Sequence, residues 1–154
     1  MIKETKLARF VLLLALNGCA KTAYYPMGKG DDIASQAESN RGSTKWAQDV
    51  KKTANDGSCT FQVGDPKCNL FVYDMLHNTG IAPPKTGIWP ITASMWTSSV
   101  PGWSVVNTQQ RGDLVSNGKH CGIATDGTYT ISAGTRKVYK DADISGGTVQ
   151  RYNN

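Results

Sequence analysis

The stretch Pro66-Lys67-Cys68-Asn69-Leu70-Phe71-Val72 sets a thiol at the head of an apolar run. A cysteine attacks a carbonyl carbon as the thiolate, and an ordinary thiol with a pKa of about 8.5 is mostly protonated at neutral pH. The first turn of a helix corrects part of this, because the positive end of the helix dipole favours an anion. Main-chain N–H groups without intrahelical acceptors are also available there to an oxyanion. The thiol then needs a base, and the chain has only two histidines. His77 follows nine residues later on the same expected helix, roughly 13 Å away at about 1.5 Å per residue. It is out of reach and reads as a cation near the helix C-terminus. His120 remains as the candidate partner by elimination. Cys68 as nucleophile and His120 as general base is an arrangement for opening amides through a thioester. The plainer alternative for Cys68 is a packed core cysteine, since free cysteines are among the most buried residues.

His120 opens the segment His120-Cys121-Gly122-Ile123-Ala124-Thr125, and Thr128 to Ala133 follows after Asp126-Gly127. That pattern is a hairpin, with two possible loops. A two-residue Asp-Gly loop sets Cys121 and Ile123 opposite Ser132 and Thr130. A three-residue loop, Thr125-Asp126-Gly127, sets His120 opposite Ser132 and Ile123 opposite Tyr129. The second is preferred because it sorts Cys121, Ile123, Tyr129 and Ile131 from His120, Gly122, Ala124, Thr130 and Ser132, and register follows the buried face. In that register Ser132 is the candidate third residue, hydrogen-bonding the imidazole.

The elements that must carry these groups divide into helices first and strands afterwards. A first helix is expected over residues 43–57, capped by Ser43 or Thr44, ended by Gly57 and striped by Trp46, Ala47, Val50 and Ala54. The Cys68 helix is expected over residues 65–80, with Asp65 as N-cap, Pro66 in the first turn and Gly80 at the end. A short third helix is expected from Ile91 to Ser98. The second half reads as short strands: Trp103-Ser104-Val105-Val106, Asp113 to Ser116, the two arms of the hairpin, Lys137 to Lys140 and Gly147 to Tyr152. Together they predict an α+β domain, with the N-terminal helices packed on an antiparallel sheet.

Composition agrees with one domain. The 154 residues are 39% hydrophobic and 19% charged, which suits a folded globular chain rather than a disordered one. The net charge of +5 falls to +3 beyond residue 18, where 14 basic and 11 acidic side chains remain. Without clustered Lys and Arg this argues against nucleic acid as a partner. The N-terminus has Lys3, Lys6 and Arg9, then an apolar run from Phe10 to Leu16, then Leu16-Asn17-Gly18-Cys19. The run falls short of the about 20 residues a membrane span needs. The order of charge, apolar run and small residues is that of a secretory signal over residues 1–18. Leu16 to Cys19 resembles a lipobox, which implies lipidation of Cys19, a membrane anchor, and a periplasmic lipoprotein of the bacterial envelope. Ala20 in place of Asp points such a lipoprotein to the outer membrane. Residues 19–42 read as a tether or lead-in, and residues 43–154 as the catalytic domain.

Cys68 at a helix start, then Gly112-Asp113, His120, Gly122-Ile123 and Ser132 in order, resembles the NlpC-type and CHAP-type cysteine peptidases. A similar Cys-then-His core occurs in type VI secreted amidase effectors. The resemblance spans roughly residues 60–135. It implies a papain-like fold and hydrolysis of amide bonds in peptidoglycan stem peptides by Cys68 and His120, without a cofactor. It also implies a polar group about a dozen residues after the histidine to orient it, a place Ser132 takes where histidine is common. Asp113 reads as structural, at a strand start, and Arg111-Gly112-Asp113 as a chance tripeptide. Trp89, Trp96 and Trp103 are candidates for a substrate groove or, equally, for packing.

Cys59 and Cys121 remain. No paired Cys or His spacing suggests zinc, so no metal is expected. In an oxidising compartment the two could form a disulfide, with Cys121 facing away from Cys68. Two other functions fit the same residues: acyl transfer through the same thioester, and a non-catalytic envelope lipoprotein that binds wall peptides.

Overall fold

The computed structural model describes residues 28–140 and 144–154. The expected signal segment, the Cys19 lipidation site and the first part of the lead-in lie outside the described residues. Elements follow in the order α1 (Lys29–Ser39), β1 (Lys52–Thr53), β2 (Thr60–Phe61), α2 (Cys68–Asn78), β3 (Lys85–Thr86) and β4 (Trp89–Pro90). A 3-10 turn (Met95–Thr97) leads to β5 (Trp103–Val106), β6 (Leu114–Ser116), β7 (Cys121–Ala124), β8 (Thr130–Ala133), β9 (Val138–Lys140) and β10 (Thr148–Tyr152). The last six strands form one antiparallel sheet in the order β5-β10-β6-β7-β8-β9. Both helices contact β7 and β8. The expected α+β arrangement of helices on an antiparallel sheet is therefore present.

The centre of the molecule is α2. Leu70, Phe71, Val72, Tyr73, Met75 and Leu76 are all buried, so this helix is covered on nearly every side. Each fully buried side chain of this size contributes about 1.5–3 kcal/mol. Cys121, Ile123, Ile131 and Ala133 supply the sheet's half of that core. Gly80 ends the helix as expected. At φ +75 its N–H donates to the His77 carbonyl at 3.0 Å, and Ile81 N–H reaches the Leu76 carbonyl at 3.1 Å. This pair of bonds needs a left-handed residue, which glycine adopts without steric cost. At the other end Asp65 is not the cap. Lys67 takes that position with no side-chain cap, and the Asp65 carboxylate accepts from Gln62 N–H at 2.7 Å.

Three further expectations differ from the structure. The lead-in is not a tether throughout, because Lys29–Ser39 is a helix that buries Ile33, Ala34 and Ala37. Arg111 holds it: Nη1 and Nη2 each meet a Glu38 carboxylate oxygen at 2.7 Å, and Nε meets Asp31 at 3.1 Å. Gly30 and Gly112 make the approach possible, since a Cβ on Gly112 would fall 2.0 Å from the Gly30 carbonyl oxygen. Arg111-Gly112 is thus a structural staple. Second, residues 43–57 form turns and β1 rather than a helix. Trp46, Ala47 and Ala54 are buried as expected, but the segment's polar groups are spent on α2: Trp46 Nε1 and Asn55 N–H both donate to Asp74. Third, the helix expected over Ile91–Ser98 shrinks to the single turn Met95–Thr97.

Asp113 is structural, as expected. Buried at the start of β6, it accepts from Arg151 Nε at 2.9 Å, from Arg151 Nη2 at 2.8 Å and from Gln110 N–H at 2.7 Å. Trp96 and Trp103 also go to structure, whereas Trp89 keeps about half its surface exposed. Trp96 and Trp103 are buried edge-to-face at 5.0 Å, and Trp89 packs on Phe61 at 5.6 Å.

Candidate active site

Three chain segments meet at one end of the sheet: the start of α2, the turn entering β7, and the turn between β8 and β9. They enclose a groove of about 530 Å³ lined by Cys68, His120, Tyr139 and nine other residues. The local sequence explains each placement. Lys67 Nζ, buried, has three donors and three main-chain acceptors: the carbonyls of Gln62 and Asp65 at 3.0 Å and of Gln48 at 3.4 Å. It ties the loops on either side to the first turn of α2 and so fixes where Cys68 emerges. His120 is set by Asn117, whose Oδ1 accepts from the N–H groups of Lys119 at 3.1 Å and His120 at 2.8 Å.

Cys68 is buried, 6% exposed as a residue, and lines the groove. Hydrogen bonds from the Cys121 thiol and then from the His120 imidazole, against the opposing effect of burial, pull its pKa down to about 4. Cys121, its thiol hydrogen donated towards that sulfur and wholly buried, is pushed well above the ordinary thiol value. The anion belongs on Cys68 rather than on Cys121, because Cys68 alone combines a helix N-terminus with an imidazole. Cys68 and His120, chosen from sequence, are thus brought together.

Ser132 is not at the imidazole. Its hydroxyl donates to the Cys121 carbonyl oxygen, between adjacent strands. The reason is the hairpin register, which matches neither expected loop. Ile123 pairs with Ile131 and Ala124 with Thr130, so the loop is Asp126-Gly127-Thr128. Asp126 Oδ1 accepts from both Thr128 N–H and Tyr129 N–H at 2.8 Å. That side-chain turn replaces the left-handed glycine that the expected loop needs. Continuing the pairing puts Gly134, not Ser132, across from His120. Tyr139 sits at the ring instead. It is the cross-strand neighbour of Ser132 on β9, its ring stacks with His120 at 6.4 Å between centroids, and its hydroxyl lies 3.5 Å from Nε2.

The expected Cys59–Cys121 disulfide is also absent: Cys59, Cys68 and Cys121 are free thiols. Cys121 shares the apolar face of β7 with Ile123, and α2 covers that face, so it turns towards Cys68 rather than away. The alternation of the strand carried this signal, since any helix bearing Leu70 and Phe71 would cover the Cys121–Ile123 face. Tyr139 had no comparable signal, because its place depends on pairing two strands beyond the histidine.

Replacing Cys121 with alanine is expected to raise the Cys68 pKa and slow its alkylation by iodoacetamide at about pH 6, whereas serine, which keeps a donor, should restore much of the rate. Peptide mass spectrometry, which separates Cys68 from Cys59, reads the outcome. Equal rates in all three proteins would show that Cys121 does not hold the thiolate.

Among the described residues no cluster of three or more potential ligands could hold a metal ion, and no helix is long and apolar enough to cross a membrane. Comparison of the chain with protein-family models, with curated proteins and with solved structures found no match.

Proposed function

We propose that the chain is a cysteine hydrolase that cleaves amide bonds in peptidoglycan stem peptides, on a papain-like fold of the NlpC and CHAP type. The observation that carries the reading is the Cys68 thiol in the first turn of α2, sharing a groove with His120, its pKa pulled down to about 4 by the Cys121 thiol and then by the imidazole. A structural cysteine gains nothing from being held as a thiolate, whereas a nucleophile requires it.

Cys68 sulfur adds to the amide carbonyl, and the first-turn N–H groups of α2 face the developing oxyanion. His120, carrying the proton, delivers it to the leaving nitrogen as the C–N bond breaks. The resulting thioester is opened by water, with His120 taking the water proton and Cys68 leaving as the thiolate. Tyr139 stacks on the imidazole and supports its orientation. The substrate assignment rests on the ordered resemblance around Cys68, Gly112-Asp113, His120 and Gly122-Ile123. Location rests on the N-terminal pattern. We place the protein in the bacterial periplasm, anchored in the outer membrane by a lipid on Cys19.

The test uses purified sacculi, the full protein and its Cys68→Ala variant, with products identified by mass spectrometry. New free peptide termini released only by the wild type are expected. Identical product profiles for the two proteins would overturn hydrolysis, and amine-linked adducts in place of free carboxylates would convert the reading to acyl transfer.

A further inference from the structure

The thiol and imidazole account for the floor of the groove but not for its rim. Lys119, Arg136 and Lys137 all line it, and all three are exposed. They stand on the two turns that flank His120: Lys119 immediately before it, and Arg136 and Lys137 in the β8–β9 turn that Gly134 N–H closes on the Lys137 carbonyl at 3.0 Å. Among the described residues no aspartate or glutamate lines this groove. Three other cations are neutralised in place: Lys52 by Asp74, Arg111 by Asp31 and Glu38, and Arg151 by Asp113. None of those ion pairs engages the three rim cations.

We propose that this rim makes the groove selective for acyl donors with a free carboxylate close to the scissile amide, and that Arg136 and Lys137 are the residues that read it. The inference rests on Cys68 being the nucleophile of an amide hydrolase. The Arg136 guanidinium offers a flat fork that matches a carboxylate with two hydrogen bonds, and Lys137 and Lys119 contribute point charges that draw the anion in. Exposed, unpaired cations around a concave site raise the local concentration of an anionic substrate, and the effect weakens as salt screens it. A neutral or amidated stem peptide lacks this attraction and leaves the cations solvated.

Two synthetic stem-type peptides test it, identical except that the carboxylate beside the scissile amide is free in one and a carboxamide in the other. The wild type is expected to prefer the acid by about fivefold to tenfold in kcat/KM, chiefly through KM, with the gap shrinking between about 50 and about 500 mM salt. In the Arg136→Gln/Lys137→Gln double variant the preference should fall to about twofold or less, while kcat/KM on the carboxamide stays within about twofold of wild type. Binding of the same peptides to the Cys68→Ala protein, measured by calorimetry, should show the same preference without turnover. Equal Cys68-dependent turnover of both peptides would overturn the selectivity and leave the hydrolase standing. Absence of turnover with acid-selective binding would do the reverse, and equal binding without turnover would remove both.

Discussion

Replacing His120 with alanine is expected to lower turnover of a wall-peptide amide by about 100-fold to 10,000-fold, the range lost when a positioned acid–base group is removed. The fold should survive, because the histidine's main-chain anchor to Asn117 does not involve the ring. The imidazole sits in a turn at the sheet's end, half-buried against Tyr139. The same variant should change the thiol. A lowered pKa means that the thiolate predominates at every pH above about 4. Wild-type Cys68 should therefore alkylate at a nearly constant rate from mildly acidic to neutral pH, where an ordinary thiol slows about tenfold per unit. Loss of the imidazole bond and its charge raises the pKa, so alkylation on the acid side must slow. The Cys121 bond, the larger cause, persists, and the variant should remain more reactive than a free cysteine. Turnover equal to wild type would eliminate His120 as the base. An unchanged alkylation profile with lost turnover would confine it to proton delivery.

What could be read from the sequence divides along physical lines. The six strands of the main sheet were legible because each is a short stretch of β-branched and aromatic residues bounded by turn formers, and α2 because its apolar run ends at Gly80. These are local signals. Residues 43–57 carry Trp46, Ala47, Val50 and Ala54 at helical spacing, yet Ala54 N–H pairs with the Cys59 carbonyl while Trp46 Nε1 and Asn55 N–H bond to Asp74 on α2, and tertiary contacts override propensity. Helix α1 was hidden by two glycines near its start, of which Gly30 is needed for packing against Arg111 and Gly112. Cys68 and His120 were recoverable because chemistry limited the choice to one thiol at a helix start and one histidine within reach. The expected pairing of Ser132 with His120 fails because the Asp126 side-chain turn moves β8 two residues from the preferred register, whereas Cys121 faces Cys68 because α2 covers the apolar face it shares with Ile123. A shift of two keeps every residue on its face, which is why the separation of apolar from polar held while the partner of His120 changed.

The largest effect on stability should come from Asp74, which lies two turns along the helix from the nucleophile. Its carboxylate is fully buried and accepts from Trp46 Nε1 at 2.8 Å, Asn55 N–H at 2.7 Å and Lys52 Nζ at 3.1 Å. Asp74→Ala would leave an indole N–H and a main-chain N–H without their acceptor and strip the mostly buried Lys52 ammonium of its counter-charge, leaving it only the Thr53 carbonyl and Asn55 Oδ1. Breaking a buried charged network from one side costs about 3–5 kcal/mol. Against a total of about 5–15 kcal/mol for a domain, that is enough to leave the chain partly unfolded at moderate temperature. Asp74→Asn keeps one acceptor oxygen and the volume, so it should lose less. Urea denaturation followed by tryptophan fluorescence, with Trp46 as a direct reporter, measures both. The expected order is wild type, then Asn, then Ala, and equal midpoints for all three would refute the network. The consequence for function follows from what the network holds. Residues 43–67 have little regular structure of their own, yet Gln48, Pro66 and Lys67 form one wall of the groove, and Lys67 spans Gln48, Gln62 and Asp65 beside Cys68. Asp74 fastens one end of that segment to α2 and Lys67 the other. Weakening the first should therefore loosen the wall beside the thiol before the helix itself melts, and substrate binding should fail at lower urea than the main unfolding transition.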